Sequence, residues 1–290
     1  VYITGSNARL LSGELATHLT GRYITIPVYP LSFDEYQRHH RAQGTTDSTD
    51  QLFSEYMMFG GMPGLFVTGQ PDQDKATEIL TSIYESIVMK DVAGRYGIRD
   101  IATLEKLSRY LFSTSGNLFS VNKVANTLTS AGANASYATV DNQISALERS
   151  FIVYSAQQER MRGKELLRPQ RKFYPVDNGF RNLATGFNGS DRGAQLEGIV
   201  FMELQRRGYD VTIGSLPDGE IDFIAKRGND KQYIQVTLNM TEEQTREREL
   251  APLRRLGDAF PRTVLTLDWH SEGMTDEGIH ITNVMDWLCS

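Results

Sequence analysis

The densest run of chemistry-bearing side chains is basic. Arg160, Arg162, Lys164, Arg168, Arg171 and Lys172 place six cations within thirteen residues, opposed only by Glu165. Cations at that density suit a phosphate backbone, whose condensed counterions they release on binding. A charged hairpin is also commonly just solvated, and the run of charge alone leaves both readings open. Thr4-Gly5-Ser6-Asn7 sets small polar side chains in a turn after an apolar, β-rich stretch. That is the strand end at which open α/β sheets bind ligands, though such a turn is more often only a turn. His39 and His40 diverge by about 100° on a helix and have no Cys to complete a ligand set, which argues against a metal site. The phosphate-cradling pattern G-x-x-x-x-G-K-[ST] occurs nowhere in the chain. Leu31-Ser-Phe-Asp34-Glu35 imitates the acidic strand that organises Mg²⁺, but Pro30 breaks the apolar run. Ser32 with Glu35 three residues on reads better as a capping box opening a helix.

The elements that must carry these residues follow from periodicity and punctuation. Val1 to Thr4 read as a strand, Ala8 to Leu19 as a helix and Tyr23 to Val28 as a second strand, an α/β unit. From Asp50 to Arg99 the pattern is helical, interrupted by Gly60-Gly61-Met62-Pro63-Gly64. Three short helices follow: Ala102 to Phe112, Ser120 to Leu128 and Ser136 to Arg149, with Ser120 and Ser136 at N-cap positions. Then come strands at Phe151–Tyr154 and Lys172–Tyr174. Three helices and a hairpin spell a winged helix-turn-helix, with the basic run as its wing. Its third helix offers only Arg149, Asn142 and Gln143 for base reading, which suits a specific reader poorly. Past a link at Asp177-Asn-Gly179 the order is helix (Gln195 to Arg207), strands Tyr209–Ile213, Glu220–Ala225 and Tyr233–Leu238, helix Arg246–Leu256, strand Thr263–Leu267 and helix Asn283–Leu288.

Composition bounds the classes. The chain has 290 residues, 40% hydrophobic and 23% charged, an ordinary globular balance with ample core. The net charge of −6 confines any nucleic-acid contact to a local patch. One cysteine, Cys289, excludes an intrachain disulfide and fits a reducing cytoplasm. No apolar run reaches the roughly 18–20 residues of a membrane span, so no membrane association is expected. Opening without Met on Val1-Tyr-Ile-Thr4, the chain is expected to be an N-terminally truncated fragment.

Several blocks in order carry a family resemblance. Tyr2-Ile-Thr-Gly-Ser-Asn-Ala-Arg-Leu-Leu-Ser12, Leu19-Thr-Gly-Arg22, Pro30-Leu-Ser-Phe-Asp-Glu35, Tyr56 to Pro63, Tyr174 to Gly179, Leu196-Glu197, Glu220-Ile-Asp222-Phe and Tyr233-Ile-Gln-Val extend over nearly the whole chain. Together they resemble a prokaryotic AAA-type ATPase family whose members add a winged helix and a C-terminal PD-(D/E)XK nuclease-like domain of unknown function. The resemblance implies an α/β and α multi-domain chain. Residues 1–30 would be the tail of the P-loop ATPase α/β core, 31–100 a helical lid region, 101–176 the winged helix-turn-helix and 177–290 the restriction-endonuclease-like α/β domain.

It further implies a nucleotide-binding sensor side at Thr4, Ser6 and Asn7, where a polar strand end orients water at a bound γ-phosphate. Arg22 would approach the phosphate, or serve only in a surface ion pair. ATP and Mg²⁺ are the cofactors implied for the full-length member. None is expected for this chain alone, because the phosphate loop and the Mg²⁺-organising acid would precede Val1. The implied nuclease-like pocket maps to Glu197, Asp222, Gln235 and Thr237. Positions 235 and 237 share a strand face, but Gln stands where a second carboxylate belongs and Thr where a Lys belongs. An inactive scaffold is expected, with Glu197 and Asp222 able to hold a cation weakly. Glu220 and Asp222 also read simply as polar residues of a half-exposed strand. The expected function is the C-terminal part of an ATP-binding protein that repositions its appended domains. The alternatives are a nucleic-acid-binding or regulatory module acting through Arg160, Arg162 and Lys164, and a metal-dependent nuclease. The other partners expected are a protein or a second copy of the chain, and the basic wing reads equally as a surface that packs against the ATPase core.

Overall fold

The computed structural model describes residues 4–5, 24–67, 72–133, 135–159, 170–187, 191–216 and 219–290. Local signals decide where its helices begin. Ser32 Oγ accepts the amide of Glu35 while Glu35 Oε2 accepts the amide of Ser32, a reciprocal cap that opens α1 (Phe33–Ala42). Ser48 and Gln51 repeat the device at α2 (Thr49–Phe59). Gly60, at φ 78°, ends α2 in a conformation that side chains resist. A 3-10 turn at Pro63–Phe66 leads to α3 (Gln73–Ser86), which runs on into a π-helical segment, Ile87–Gly94.

Helix α4 (Ile101–Ser113) precedes the two-residue strand β1 (Leu118–Phe119). Ser120 and Ser136 then cap α5 (Val121–Ser130) and α6 (Tyr137–Arg149), as their placement in the sequence indicates. Strands β2 (Val153–Glu159) and β3 (Arg171–Pro175) pair antiparallel as a hairpin. Next come α7 (Asn178–Thr185), α8 (Arg192–Arg206), β4 (Asp210–Leu216), β5 (Gly219–Arg227) and β6 (Asp230–Thr237). Helix α9 (Glu243–Arg254), β7 (Arg262–Thr266), β8 (Gly273–Met274), β9 (His280–Asn283) and α10 (Val284–Leu288) complete the chain.

The described residues form a mixed α/β structure with ten α-helices and one nine-stranded sheet, ordered β1-β3-β2-β4-β5-β6-β7-β9-β8. The hairpin joins the rest of that sheet because β2 runs parallel to β4, Gln157 to Glu159 against Thr212 to Gly214. The boundary expected at 176/177 therefore falls inside a continuous sheet. The apolar core crosses it as well: Phe33, Tyr36, Phe53 and Met57 from the first two helices share one cluster with Tyr174, Phe201, Phe223 and Val284. A second cluster joins α3 to α6 with Phe173 and Phe180, and a third lies between the sheet and α9 around Ile221, Leu250 and Val264.

Two expectations give way to tertiary contacts. Of the strand expected over Tyr23–Val28, residues 24–28 are irregular, with Ile24, Ile26 and Val28 exposed at 90%, 71% and 92%. Alternation makes a strand only when another strand takes up its backbone hydrogen bonds, and none among the described residues does so. The link expected at Asp177-Asn-Gly179 is instead the capped and buried start of α7. Strands β8 and β9 escape sequence reading because two and four residues carry too little alternation. Thr4 and Gly5 are irregular and exposed, and the first helix expected, Ala8 to Leu19, lies outside the described residues.

Candidate functional site

Strand alternation sends Lys172 and Tyr174, two apart on β3, to the face covered by α8. There they meet Glu197 of α8. Lys172 Nζ donates to Glu197 Oε1 at 3.2 Å, and Tyr174 Oη donates to the same oxygen at 2.7 Å. Lys172 also makes a close ion pair with Glu220 of β5. Two residues along β5, Asp222 accepts the amide of Val236 on Oδ2 at 2.8 Å. The lysine, a residue type seldom buried unless paired, is only 5% exposed. Gly116, after α4, closes one side: its amide donates to Phe173 O at 3.3 Å, and a Cβ there would stand 3.0 Å from Glu197 Oε2.

One ammonium thus faces three carboxyl groups. Burial alone would lower the Lys172 pKa, but Glu197, Glu220 and Asp222 outweigh it and raise the pKa above the ordinary lysine value. Burial pushes the carboxyl of Asp222 well above the usual carboxylate range, and the charge of Glu197 pushes it further. Glu197 is also raised, chiefly by burial, with Lys172 and the Tyr174 hydroxyl opposing. Burial next to Glu197 raises Tyr174 as well, keeping its phenol protonated as a donor.

Of the expected pocket residues, Glu197 and Asp222 come together around Lys172. The other two turn elsewhere. Gln235 Oε1 accepts the Asp222 amide at 3.3 Å, but its Nε2 donates to Glu249 of α9 at 3.1 Å. Thr237 donates to Asn239 O at 3.2 Å. Among the described residues no three His, Cys, Asp or Glu side chains are grouped so as to hold a metal ion. The donor set around Lys172 therefore does not fit the divalent metal of a nuclease-like pocket, which needs oxygen ligands on most sides.

The basic run divides. Arg160, Arg162 and Lys164 lie outside the described residues, as do the sensor positions Ser6, Asn7 and Arg22, while Thr4 is described and exposed. Arg171 pairs with Glu148 at 3.3 Å and Asp141 at 3.5 Å, and stacks on Phe173. Both α6 carboxylates are thereby paired with one residue expected to supply wing charge. With Lys172 buried, two of the six cations are committed to internal partners. His40 is buried and stacked on Tyr36, and burial lowers its pKa.

A second buried carboxylate sits in the stretch expected only as a link. Asp177 accepts the amides of Gly61 at 2.7 Å and Gly179 at 2.8 Å, and a Cβ at Gly60 would collide with it. Asn182 donates to the carbonyls of Met57 at 3.0 Å and Met58 at 2.7 Å. The blocks Tyr56–Pro63 and Tyr174–Gly179 are thus two sides of one joint. The entering chain is tied to the same joint: Leu31 N donates to Gly61 O at 2.8 Å, Tyr56 Oη to Leu31 O at 2.9 Å and Arg206 Nη2 to Pro30 O at 2.7 Å.

The sequence signal that marks Lys172 is its spacing. Lys172 and Tyr174, two apart on a strand, must share a face, although the apolar Phe173 and Pro175 between and beside them do not tell a buried face from a solvated one. No comparable local signal marks Asp177 or Arg206.

Comparison with known proteins gives a family model described as an AAA domain over residues 1–37, and a domain of unknown function (DUF8612) over residues 50–191. An uncharacterized protein of Haemophilus influenzae is 38% identical over 288 residues, covering 99% of this chain and 70% of that one. An uncharacterized protein of Methanocaldococcus jannaschii is 29% identical over 261 residues, covering 86% of this chain and 57% of that one. A crystal structure of the Vibrio cholerae protein VC1899 aligns with 99% of this chain and 79% of its own, at 13% identity and a TM-score of 0.24. So low a score carries no argument. Among the described residues no helix is long and apolar enough to cross a membrane.

Proposed function

This chain belongs to the family of the Haemophilus influenzae protein, and we propose that it is the C-terminal part of an AAA-type, ATP-binding protein whose nucleotide state repositions one sheet-centred body. The observation that carries this reading is the anchoring of the chain where it leaves the stretch matched by the AAA model. Pro30 and Leu31 are held by Arg206, Tyr56 and Gly61, and Phe33 and Tyr36 are sunk in the core shared with α8 and the sheet. A displacement of the residues before Pro30 would be passed to the whole body, because close-packed interiors transmit strain. The exposed apolar alternation Ile24, Ile26 and Val28 within the matched stretch suits surface covered by the remainder of an ATPase core.

ATP with Mg²⁺ would bind in that core, with Thr4, Ser6, Asn7 and Arg22 on its sensor side. Helices α4 to α6 with the β2–β3 hairpin support a winged helix. The helix-and-strand order from α8 to α10 supports a nuclease-like fold, read as a scaffold without hydrolytic chemistry because Gln235 and Thr237 supply neither a carboxylate nor a cation. Nucleic acid, reached through Arg160, Arg162 and Lys164, and a cytoplasmic setting belong to the same proposal.

The test uses the full-length family member. Amide exchange is followed in ATP and in ADP, for the natural protein and for Arg206→Met, which cuts the tie to Pro30. Nucleotide-dependent changes in α8 and α9 are expected in the natural protein and much reduced in the variant. Equal responses in both, or no nucleotide response in either, would overturn the reading.

A further inference from the structure

Strands β6, β7 and β9 run parallel, so their carboxyl ends lie along one edge of the sheet. Open α/β sheets bind ligands just outside such ends, where the outgoing segments converge. A cavity of about 380 Å³ stands there, at the small end of the roughly 300–1,000 Å³ that holds small molecules. Leu238 follows β6, Leu267 follows β7 and Met285 stands on α10 after β9, and with Phe53 of α2 they give the cavity an apolar wall. Two opposite charges line the same space: Asp50, in the first turn of α2, and Arg192, the first residue of α8. Among the described residues neither makes an ion pair, with the other or with a third group.

The amino end of α8 is arranged to take a negative group. Asp191, its N-cap residue, holds a left-handed backbone at φ 56° and its side chain does not cap the helix. The carboxylate pairs instead with Arg181 at 3.4 Å. That guanidinium is only 1% exposed, and its Nε and Nη1 are buried without a partner, so the helix end carries more positive charge than Asp191 offsets. Helix amino ends bind anions, and an arginine beside one strengthens the bond to a carboxylate. A plain carboxylate in the cavity would suit Arg192 but face Asp50, and a plain amine would do the reverse. A molecule carrying both charges suits both. We propose that this cavity binds an α-amino acid with an apolar side chain. Its carboxylate lies on Arg192 and the amino end of α8, its ammonium on Asp50, and its side chain against Phe53, Leu238, Leu267 and Met285. The site shares no residue with the Lys172 cluster and stands apart from any role of ATP.

The natural chain is titrated with L-leucine, L-methionine and L-phenylalanine, read by calorimetry and by the methyl resonance of Met285. At least one of them should bind and shift Met285, while Met89 on the π-helical segment stays in place. For the amino acid that binds best, the analogue lacking its amine and the analogue lacking its carboxylate should each bind roughly tenfold or more weakly. Asp50→Asn and Arg192→Gln, both at exposed positions, should weaken the parent by a similar factor without moving the unfolding midpoint. Asp50→Asn should also narrow the gap between the parent and its amine-free analogue, an effect that a merely structural role would not produce. Absence of saturable binding by all of these amino acids up to about 10 mM would overturn the proposal. So would analogues that bind as well as the parent, or binding that neither substitution weakens. The analogue comparison needs only the natural chain and decides the matter should a variant not fold.

Discussion

The carboxylate of Asp177 accepts the amide of Gly61 at 2.7 Å, joining the turn after α2 to the start of α7. Burial raises its pKa to about 6, although the amides of Gly61 and Gly179 pull the other way. The folded chain therefore holds this proton more tightly than the unfolded chain, whose carboxyl titrates near 3.8. The stabilisation is complete below the unfolded pKa and is lost as pH rises through about 6.

A shift of that size corresponds to about 3 kcal/mol between the two limits. Asp177→Asn should remove this dependence at the cost of one amide hydrogen bond, since Nδ2 cannot accept. Urea midpoints of both proteins at about pH 4.5 and pH 7 are the measurement. The natural chain should lose its advantage over the variant as pH rises, and a difference that does not change with pH would refute the assignment.

Tyr174→Phe tests the hydroxyl on Glu197. The ring stacks on Phe201 and packing is retained, so the loss is that of a hydrogen bond to a charged acceptor, about 1.5–3 kcal/mol. Denaturant unfolding should show a lower midpoint with an unchanged slope. An unchanged midpoint would mean that water replaces the hydroxyl without cost.

Should nucleic acid bind, the basic run makes a third outcome measurable. With Arg171 and Lys172 committed internally, the other cations of the run are Arg160, Arg162, Lys164 and Arg168. Replacing Arg160, Arg162 and Lys164 by Ala should weaken binding across sequences and lower the salt slope by roughly one for each phosphate left without its cation. Lys172→Met should leave the slope as it is. A slope changed by Lys172→Met and not by the triple variant would place nucleic acid at the cluster.

Much of the fold is legible from neighbours in sequence. Ser32, Ser120 and Ser136 announce helices because a cap is settled within three residues. Glu197 and Asp222 stand out by their place in a motif, and the fold does bring both around Lys172. Gln235 stands out too, yet its amide turns to Glu249, a partner on α9 that strand alternation cannot name.

Composition, caps and periodicity determined the longer helices and most of the longer strands, because each rests on a few adjacent residues, while α7 and the short strands β1, β8 and β9 came only with the assembled sheet. Which charges are buried was decided only by the assembled sheet. Lys172 reads as one more cation in a basic run until β3, α8 and β5 converge on it, and Asp177 reads as linker until Gly61 arrives from the far side of the joint. Whether a charged side chain stays in water depends on partners distant along the chain, and it is the fold that brings those partners within hydrogen-bond reach.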